Sequence, residues 1–314
     1  EGNVSKMQGF GIQLGQIGKS IGKNMMDPLV LIGAALEFSD QTTSLQKDLA
    51  ISRGEANDMV FDFQLMATAG GDLAITGTRI QASFSTLADQ IGTTSKSLMG
   101  MSADAAVLSE KLGVSAEGVG NAGKASLLMG RSIKNIKLDI IQSTTNIRQQ
   151  TGIALDYNKV LKATLNVSGQ IRAQMQGNPK LIAEAVAQAQ ALGMELEQVA
   201  KVGNSLLNFE QSIESELEAE LLTGKQLNLE KARLLALTGD YKELSKEIAK
   251  QAGSFTDFSK MNVLQQNALA KSFGMSTDEL ADMLMSQEAL GKTAEQLRAE
   301  GKKEIADAME KRTL

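Results

Sequence analysis

The stretch GFGIQLGQIGKS, residues 9–20, ends in Gly-Lys-Ser, the ending of a loop whose backbone N–H groups cradle nucleotide phosphates. That chemistry needs a glycine five residues before Gly18, and the position holds Gln13. It also needs a buried strand in front, and EGNVSKMQ (1–8) does not read as one. A dinucleotide fingerprint starting from Gly9 and Gly11 fails too, because its third glycine position is occupied by Leu14. Gly11, Gly15, Gly18 and Gly22 instead follow 4-3-4 spacing, which is one stripe of a helix. Leu14, Ile17, Ile21 and Met25 make an apolar stripe beside it. Small residues in a stripe let a second helix approach closely. Four interior glycines cost roughly 1 kcal/mol each relative to alanine, so such a helix needs a partner. Residues 9–36 are therefore the candidate for contact with partner helices or with a membrane. Partner helices are the better fit, since the segment's only basic residues are Lys19 and Lys23.

A second group is acidic. The run EQSIESELEAE (210–220) stacks Glu210, Glu214 and Glu218 on one helical face and pairs Glu216 with Glu220. Like charges at this spacing are mildly destabilising, so a compensating basic surface is expected; the 124–180 region of a neighbouring chain is one source, and plain solvation is the alternative. Two carboxylates can also hydrolyse a glycosidic bond, but one must then have a raised pKa, and nothing near Glu214 or Glu218 looks built to raise it.

The third group is basic. Residues 124–180 carry Lys124, Arg131, Lys134, Lys137, Arg148, Lys159, Lys162, Arg172 and Lys180 against only Asp139 and Asp156. Tyr157 is the single aromatic there, which is poor for stacking on single-stranded nucleic acid. Contact with a DNA backbone is weakly supported. A basic face meeting an acidic partner or solvent fits better: Arg131 and Lys134 are read on one side of a helix whose other side carries Ile133, Ile136, Ile140 and Ile147.

Composition removes most other chemistry. The 314 residues include no His, no Cys and no Trp, which excludes disulfides, thiolate metal sites, His general bases and Ser-His or Cys-His nucleophiles. No catalytic, cofactor-binding or metal-binding residue is therefore assigned, no cofactor is expected, and the chain reads as a non-enzyme. The most apolar run, MMDPLVLIGAAL (25–36), is too short to cross a bilayer and is broken by Asp27 and Pro28. The 15 methionines, Met25, Met26, Met283 and Met285 among them, read as adaptable core filler.

Helical periodicity runs through nearly every long segment. At 178–192, Asn178 caps, Pro179 takes the first helical position, and Leu181, Ile182, Ala185, Val186, Ala189 and Leu192 share a face before Gly193 stops the helix. A joint of the same kind recurs. In FGMSTDEL (273–280), Gly274 ends one helix, Ser276 and Glu279 form a capping box for the next, and Met275 with Leu280 makes a hydrophobic staple. LGVSAEGV (112–119), LGMELEQV (192–199), LTGDYKEL (237–244) and LGKTAEQL (290–297) are variants, and TGIALDYNKV (151–160) is a weaker one. Gly71, Gly113, Gly152, Gly193, Gly239 and Gly274 are spaced by about 40 residues, within the range of helical-hairpin repeats. The expected fold class is all-α: an elongated chain of linked helices and hairpins with glycine joints, packed with copies of itself. The expected regions are a glycine-rich packing segment (1–36), a hairpin region holding the basic stretch (37–209) and an acidic helical region (210–314).

LEFSDQTTSLQKDLAISRGEANDM (36–59), the glycine joints, and LLTGKQLNLEKARLLALTGDYKELSKEIAKQAG (221–253) resemble tail tape measure proteins of tailed bacteriophages. The resemblance spans roughly 36–290 and rests on texture: Ala/Gln/Ser-rich helices, glycine joints, few aromatics and no Cys. It implies a structural virion protein, located in the tail lumen or tip and in the host cytoplasm during assembly. Such a protein runs as a small symmetric bundle inside the tail tube, sets tail length by its helical length, and leaves ahead of the genome. Its partners would be its own copies and the tail tube and tail-tip proteins. An uninterrupted helix of this length would span about 470 Å, whereas stops every 40 residues or so permit folding back, so the chain reads as a hairpin-forming portion of such a protein. An ejection protein forming a membrane-crossing conduit, and a soluble helical-repeat adaptor, are the competing expectations.

Overall fold

A computed structural model describes residues 28–49, 52–69 and 75–292. Every regular element among them is helical, and no strand occurs among the described residues. The chain is all-α, as its periodicity predicts. By contacts it forms two compact units, one through Val107 and one from Leu108. The glycine-rich stretch 9–22, Gly71 and the joint residues Thr293 and Gln296 lie outside the described residues.

The first unit contains α1 (Pro28–Leu49), α2 (Arg53–Ala69), α3 (Gly77–Ile91) and α4 (Lys96–Ala106). Pro28 opens α1, where its missing N–H costs nothing, and α1 runs unbroken past residue 36. The core is Leu45, Val60, Phe63, Ile80, Phe84 and Leu87, all fully buried, with the Phe63 and Phe84 rings tilted at 5.5 Å between centroids. A buried polar seam crosses it. Gln41 Nε2 donates to Thr78 Oγ1 (2.7 Å) and Glu37 Oε1 (3.1 Å), and Thr42 Oγ1 donates to Asn57 Oδ1 (2.9 Å). Paired polar groups of this kind fix the register of α1 on α2 and α3 better than interchangeable apolar contacts would.

A one-turn π-helix (Val107–Lys111) leads to Gly113. The second unit then follows as α5 (Ala116–Met129), α6 (Ile133–Thr151), α7 (Tyr157–Leu165), α8 (Gly169–Gln174), α9 (Pro179–Ala191), α10 (Leu196–Leu206), α11 (Phe209–Thr223), α12 (Glu230–Thr238), α13 (Tyr241–Ala252), α14 (Phe255–Phe258), α15 (Val263–Ser272) and α16 (Thr277–Leu290). Its centre is α9, packed by α6, α7, α10 and α13. Asn178 caps it, its Oδ1 accepting from Lys180 N at 3.0 Å. The expectation of a single buried face needs correcting. Leu181 is 45% exposed, while Ala183, Ala187, Gln188 and Ala191 are buried beside Ile182, Ala185, Val186 and Ala189. Neighbours close on α9 from several sides, and alanine is what lets them.

Five of the glycine joints form as the sequence predicts, while Gly291 of the 290–297 variant is right-handed at φ −70°. Gly113, Gly152, Gly193, Gly239 and Gly274 all have φ between 60° and 76°. Ser276 Oγ accepts from Glu279 N (3.1 Å) while Glu279 Oε2 accepts from Ser276 N (2.7 Å), completing the box, and Gln198 Oε1 accepts from Glu195 N (2.8 Å) in the variant joint. Two joints are also sites of close approach. A Cβ on Gly193 would stand 2.8 Å from Met283 O and 2.9 Å from Gln287 N, so α16 rests directly on the α9–α10 joint. On Gly274 it would collide with the Ser205 side chain of α10.

Candidate functional site

The acidic run forms α11, and its buried row is Ser212, Ser215 and Ala219. Those small residues bring α11 close against α15, its main packing partner. The glutamates then divide by direction. Glu216 Oε2 meets Arg233 at 2.5 Å and Glu216 Oε1 accepts from Leu229 N at 2.8 Å. Glu220 Oε1 accepts from Leu227 N at 2.8 Å. Glu218 pairs with Lys271 of α15 at 2.7 Å, a bond that raises the Lys271 pKa. Compensation sought in the 124–180 region of a neighbouring chain is thus supplied, for these three glutamates, by this chain. Glu210 and Glu214 are exposed, and Glu214 also helps to raise the Lys271 pKa.

These contacts also set direction. Leu227 meets Glu220, Leu229 meets Glu216, and Arg233 reaches Glu216 and Ser212, whose Oγ accepts from Arg233 Nε at 3.0 Å. Successive residues of the second segment contact earlier residues of α11, so α12 lies antiparallel to it. Between the glutamates, at four-residue spacing, run Phe209 (50% exposed), Ile213 (46%), Leu217 (59%) and Leu221 (86%). Leu234 and Leu237, one and four positions beyond Arg233, are 60% and 65% exposed on α12. α11 thus carries an exposed apolar stripe with an acidic edge, and a mostly buried ion pair ties Arg233 of α12 to it. Singly scattered exposed leucines are ordinary, whereas Phe209, Ile213, Leu217 and Leu221 fall in one regular stripe. The regular spacing Phe209–Ile213–Leu217–Leu221 was the sequence signal for it, and the glutamates between obscured it.

The basic stretch is spread out. Arg131 stands before Ser132, the N-cap of α6, and not on the helix with Lys134; it forks onto Asp139, with its second contact at 3.1 Å. Arg148 covers the Tyr157 ring at 4.7 Å, and Thr145 bonds the phenol, lowering its pKa. Arg172 donates to Val167 O at 2.7 Å. Lys124, Lys159 and Lys180 are exposed on three different helices, α5, α7 and α9. Ile133, Ile136, Ile140 and Ile147 are buried together, as expected.

A small cleft beside α11 is lined by Ser205, Ser212, Ser215, Lys271 and Ser272. Its polar groups are committed: Ser212 to Arg233, Ser272 Oγ donating to Leu269 O, and Lys271 to Glu218. Lys225 has a pKa lowered by burial, but its ammonium donates to Gln251 O (2.5 Å) and Ala252 O (2.9 Å), closing the C-terminus of α13. Two carboxylates are held low. Burial pulls Glu247 upward, but bonds from Gln251 and Lys231 more than offset it. Glu279 sits at about 2, through Lys201 Nζ at 2.8 Å and the Ser276 N–H. Of the methionines singled out, Met283 is buried and Met285 is 45% exposed. No described helix is long and apolar enough to cross a membrane. Compared with known proteins, the chain matches no family model and no curated sequence.

Proposed function

We propose that this chain is a hairpin-forming portion of a phage tail tape measure protein. On this reading it is a non-enzymatic virion component that packs in a few copies within the tail, helps set tail length, and departs ahead of the genome. The observation that carries the reading is the exposed apolar stripe of α11 with its acidic edge, a surface suited to covering by another helix. The all-α chain with short glycine-jointed helices and few aromatics supports it, as does the absence of His and Cys from the sequence. The two units are compact, so this portion contributes packed hairpins, not a straight ruler; its place on this reading is toward the tail tip. Antibodies raised against residues 108–292 test the proposal. They should label tails of the virus that encodes the chain, and quantitative mass spectrometry of purified tails should find it in a small whole-number copy count. Tails without the chain would overturn the proposal. A conduit role is favoured instead if the full chain floats with liposomes. The adaptor is favoured if the chain is monomeric and missing from virions.

A further inference from the structure

We infer that the exposed stripe of α11 docks on the outward face of α6 in a second copy of this chain, so that copies join through two different helices. The inference rests on the multi-copy packing proposed above, and it names the helices that make the contact. Both belong to the second unit, where α11 packs mainly on α15 and α6 mainly on α9. On α11, Glu210, Glu214 and Glu218 stand three residues before Ile213, Leu217 and Leu221, which sets an acidic edge beside the apolar stripe. Lys271 is bonded to Glu218 and also feels the field of Glu214, but one lysine against three carboxylates leaves that edge negative. α6 offers the counterpart. Lys134, Leu138, Ile141 and Thr145 recur at 4-3-4 spacing as one outward stripe, with Leu138 50% and Ile141 36% exposed. Lys137 and Arg148, four residues before Ile141 and seven after it, make a basic edge. Tyr157 of α7 widens the face, its hydroxyl 3.2 Å from Thr145 Oγ1 and its ring 4.7 Å from the Arg148 guanidinium. Tyrosine and arginine are the residues that protein interfaces concentrate.

Length and handedness agree as well. Phe209 to Leu221 spans about 18 Å of helix and Lys134 to Thr145 about 17 Å at 1.5 Å per residue. Set parallel, stripe on stripe, the two helices bring the acidic edge of α11 to the basic edge of α6, with Ile213 beside Leu138 and Lys137 between Glu210 and Glu214. An antiparallel pair of α11 helices would instead bring two acidic edges together, and a parallel pair would leave each edge without a cation. A strip one helix wide, about 10 Å, covers only a few hundred Å², below the roughly 1,200 Å² of a stable interface. Free copies therefore associate weakly, and the contact gains strength when copies are held together in one assembly. Because the two surfaces differ, the contact is heterologous and closes into a ring or extends as a stack.

The sequence has no cysteine, so introduced thiols report only the chosen positions. The experiment mixes the full chain carrying Ile213→Cys with the full chain carrying Leu138→Cys, adds a short bismaleimide, and counts mixed and like-with-like dimers by mass spectrometry. Mixed dimers should dominate, and should exceed severalfold those from Leu237→Cys, also an exposed position, mixed with Leu138→Cys. Adding Glu210→Lys and Glu214→Lys to the Ile213→Cys chain should lower the mixed yield on the order of tenfold, from surface pairs lost and made repulsive. Adding Lys134→Glu and Lys137→Glu to its partner should restore it. Every variant should keep the wild-type helix content by circular dichroism. Like-with-like dimers in the majority would overturn the inference. So would a mixed yield no higher than the control's; if the wild-type chain still gains mass with concentration by light scattering, multi-copy packing stands. A wild-type chain that is monomeric at every concentration and gives no mixed dimer overturns both.

Discussion

A mostly buried ion pair ties α12 to α11, and that pair sets a quantitative expectation. Arg233 and Glu216 are 10% and 13% exposed, Glu216 also receives the Leu229 N–H, and Arg233 also donates to Ser212. Arg233→Ala leaves the Glu216 carboxylate in place with one backbone donor and no cation. Removing one member of a buried pair costs about 3–5 kcal/mol. Residual exposure of both groups puts this case near 3. Glu216→Ala removes the pair and also frees Leu229 N–H, so it should cost a similar amount. The double variant should cost only slightly more than either single one, giving a coupling energy of about 2 kcal/mol. The chain offers a selective probe: it has no Trp and its two tyrosines, Tyr157 and Tyr241, both lie in the second unit. Urea unfolding followed by tyrosine fluorescence therefore reports that unit alone. Amide exchange adds a local readout, because Leu229 should lose protection in Glu216→Ala and keep part of it in Arg233→Ala. A single-variant loss below 1 kcal/mol, with Leu229 protection unchanged in Glu216→Ala, would refute the assignment of this pair as the clamp between α11 and α12.

Two further expectations test the joints and the low carboxylate. Gly193→Ala should cost about 3 kcal/mol, combining the strain of a side chain at φ 76° with Cβ contacts below 3 Å to the α16 backbone; Gly152→Ala, at φ 72° with nothing within 4 Å, should cost only about 1 kcal/mol. Equal losses, measured by the same tyrosine-detected unfolding, would sink the claim that α16 rests on the Gly193 joint. Glu279, held at about 2 by Lys201 and Ser276, is lowered in the folded state. Its contribution is therefore complete above the ordinary carboxylate value of 4.5 and is lost as pH falls toward 2. Between pH 5 and 2.5 the wild type should lose about 1 kcal/mol more than Glu279→Gln, a figure kept small because the pair is partly solvated. Parallel pH profiles for the two chains would count against the pairing.

Local signals in the sequence carried the helix class and the joints well, because a capping box is written in adjacent residues. Ser276 with Glu279, Asn178 with Pro179, and the glycine preceding each new helix need nothing from the rest of the chain. The spacing was misjudged for the same reason. Gly92, Gly130 and Gly224 are also left-handed helix ends, so helices stop about twice as often as the 40-residue interval suggested. These ends lack the apolar residue that follows Gly113, Gly152, Gly193 and Gly274: Thr93 follows Gly92, Arg131 follows Gly130 and Lys225 follows Gly224. Burial on α9 was misread because an amphipathic count assumes one neighbour, and alanine reads the same whether it faces a helix or water.

The charges were the least legible feature, and the reason bears on the site. Runs of glutamate between 210 and 220 look uniform in sequence, yet each turn of the helix sends them to different environments. Glu216 and Glu220 become acceptors for the returning chain at Leu229 and Leu227, Glu218 ties down α15, Glu214 adds to the field at the same Lys271, and Glu210 is exposed at the start of the helix. A two-residue difference in position, Glu214 to Glu216, thus separates an exposed carboxylate from one bonded inside the fold. The distinction depends on where α12 returns, and that in turn on the Arg233 contact 17 residues away. Arg233 draws Glu216 inward while Ile213 and Leu217 of the same turns stay exposed, so which carboxylates the fold consumes is settled by contacts that no local run of sequence displays.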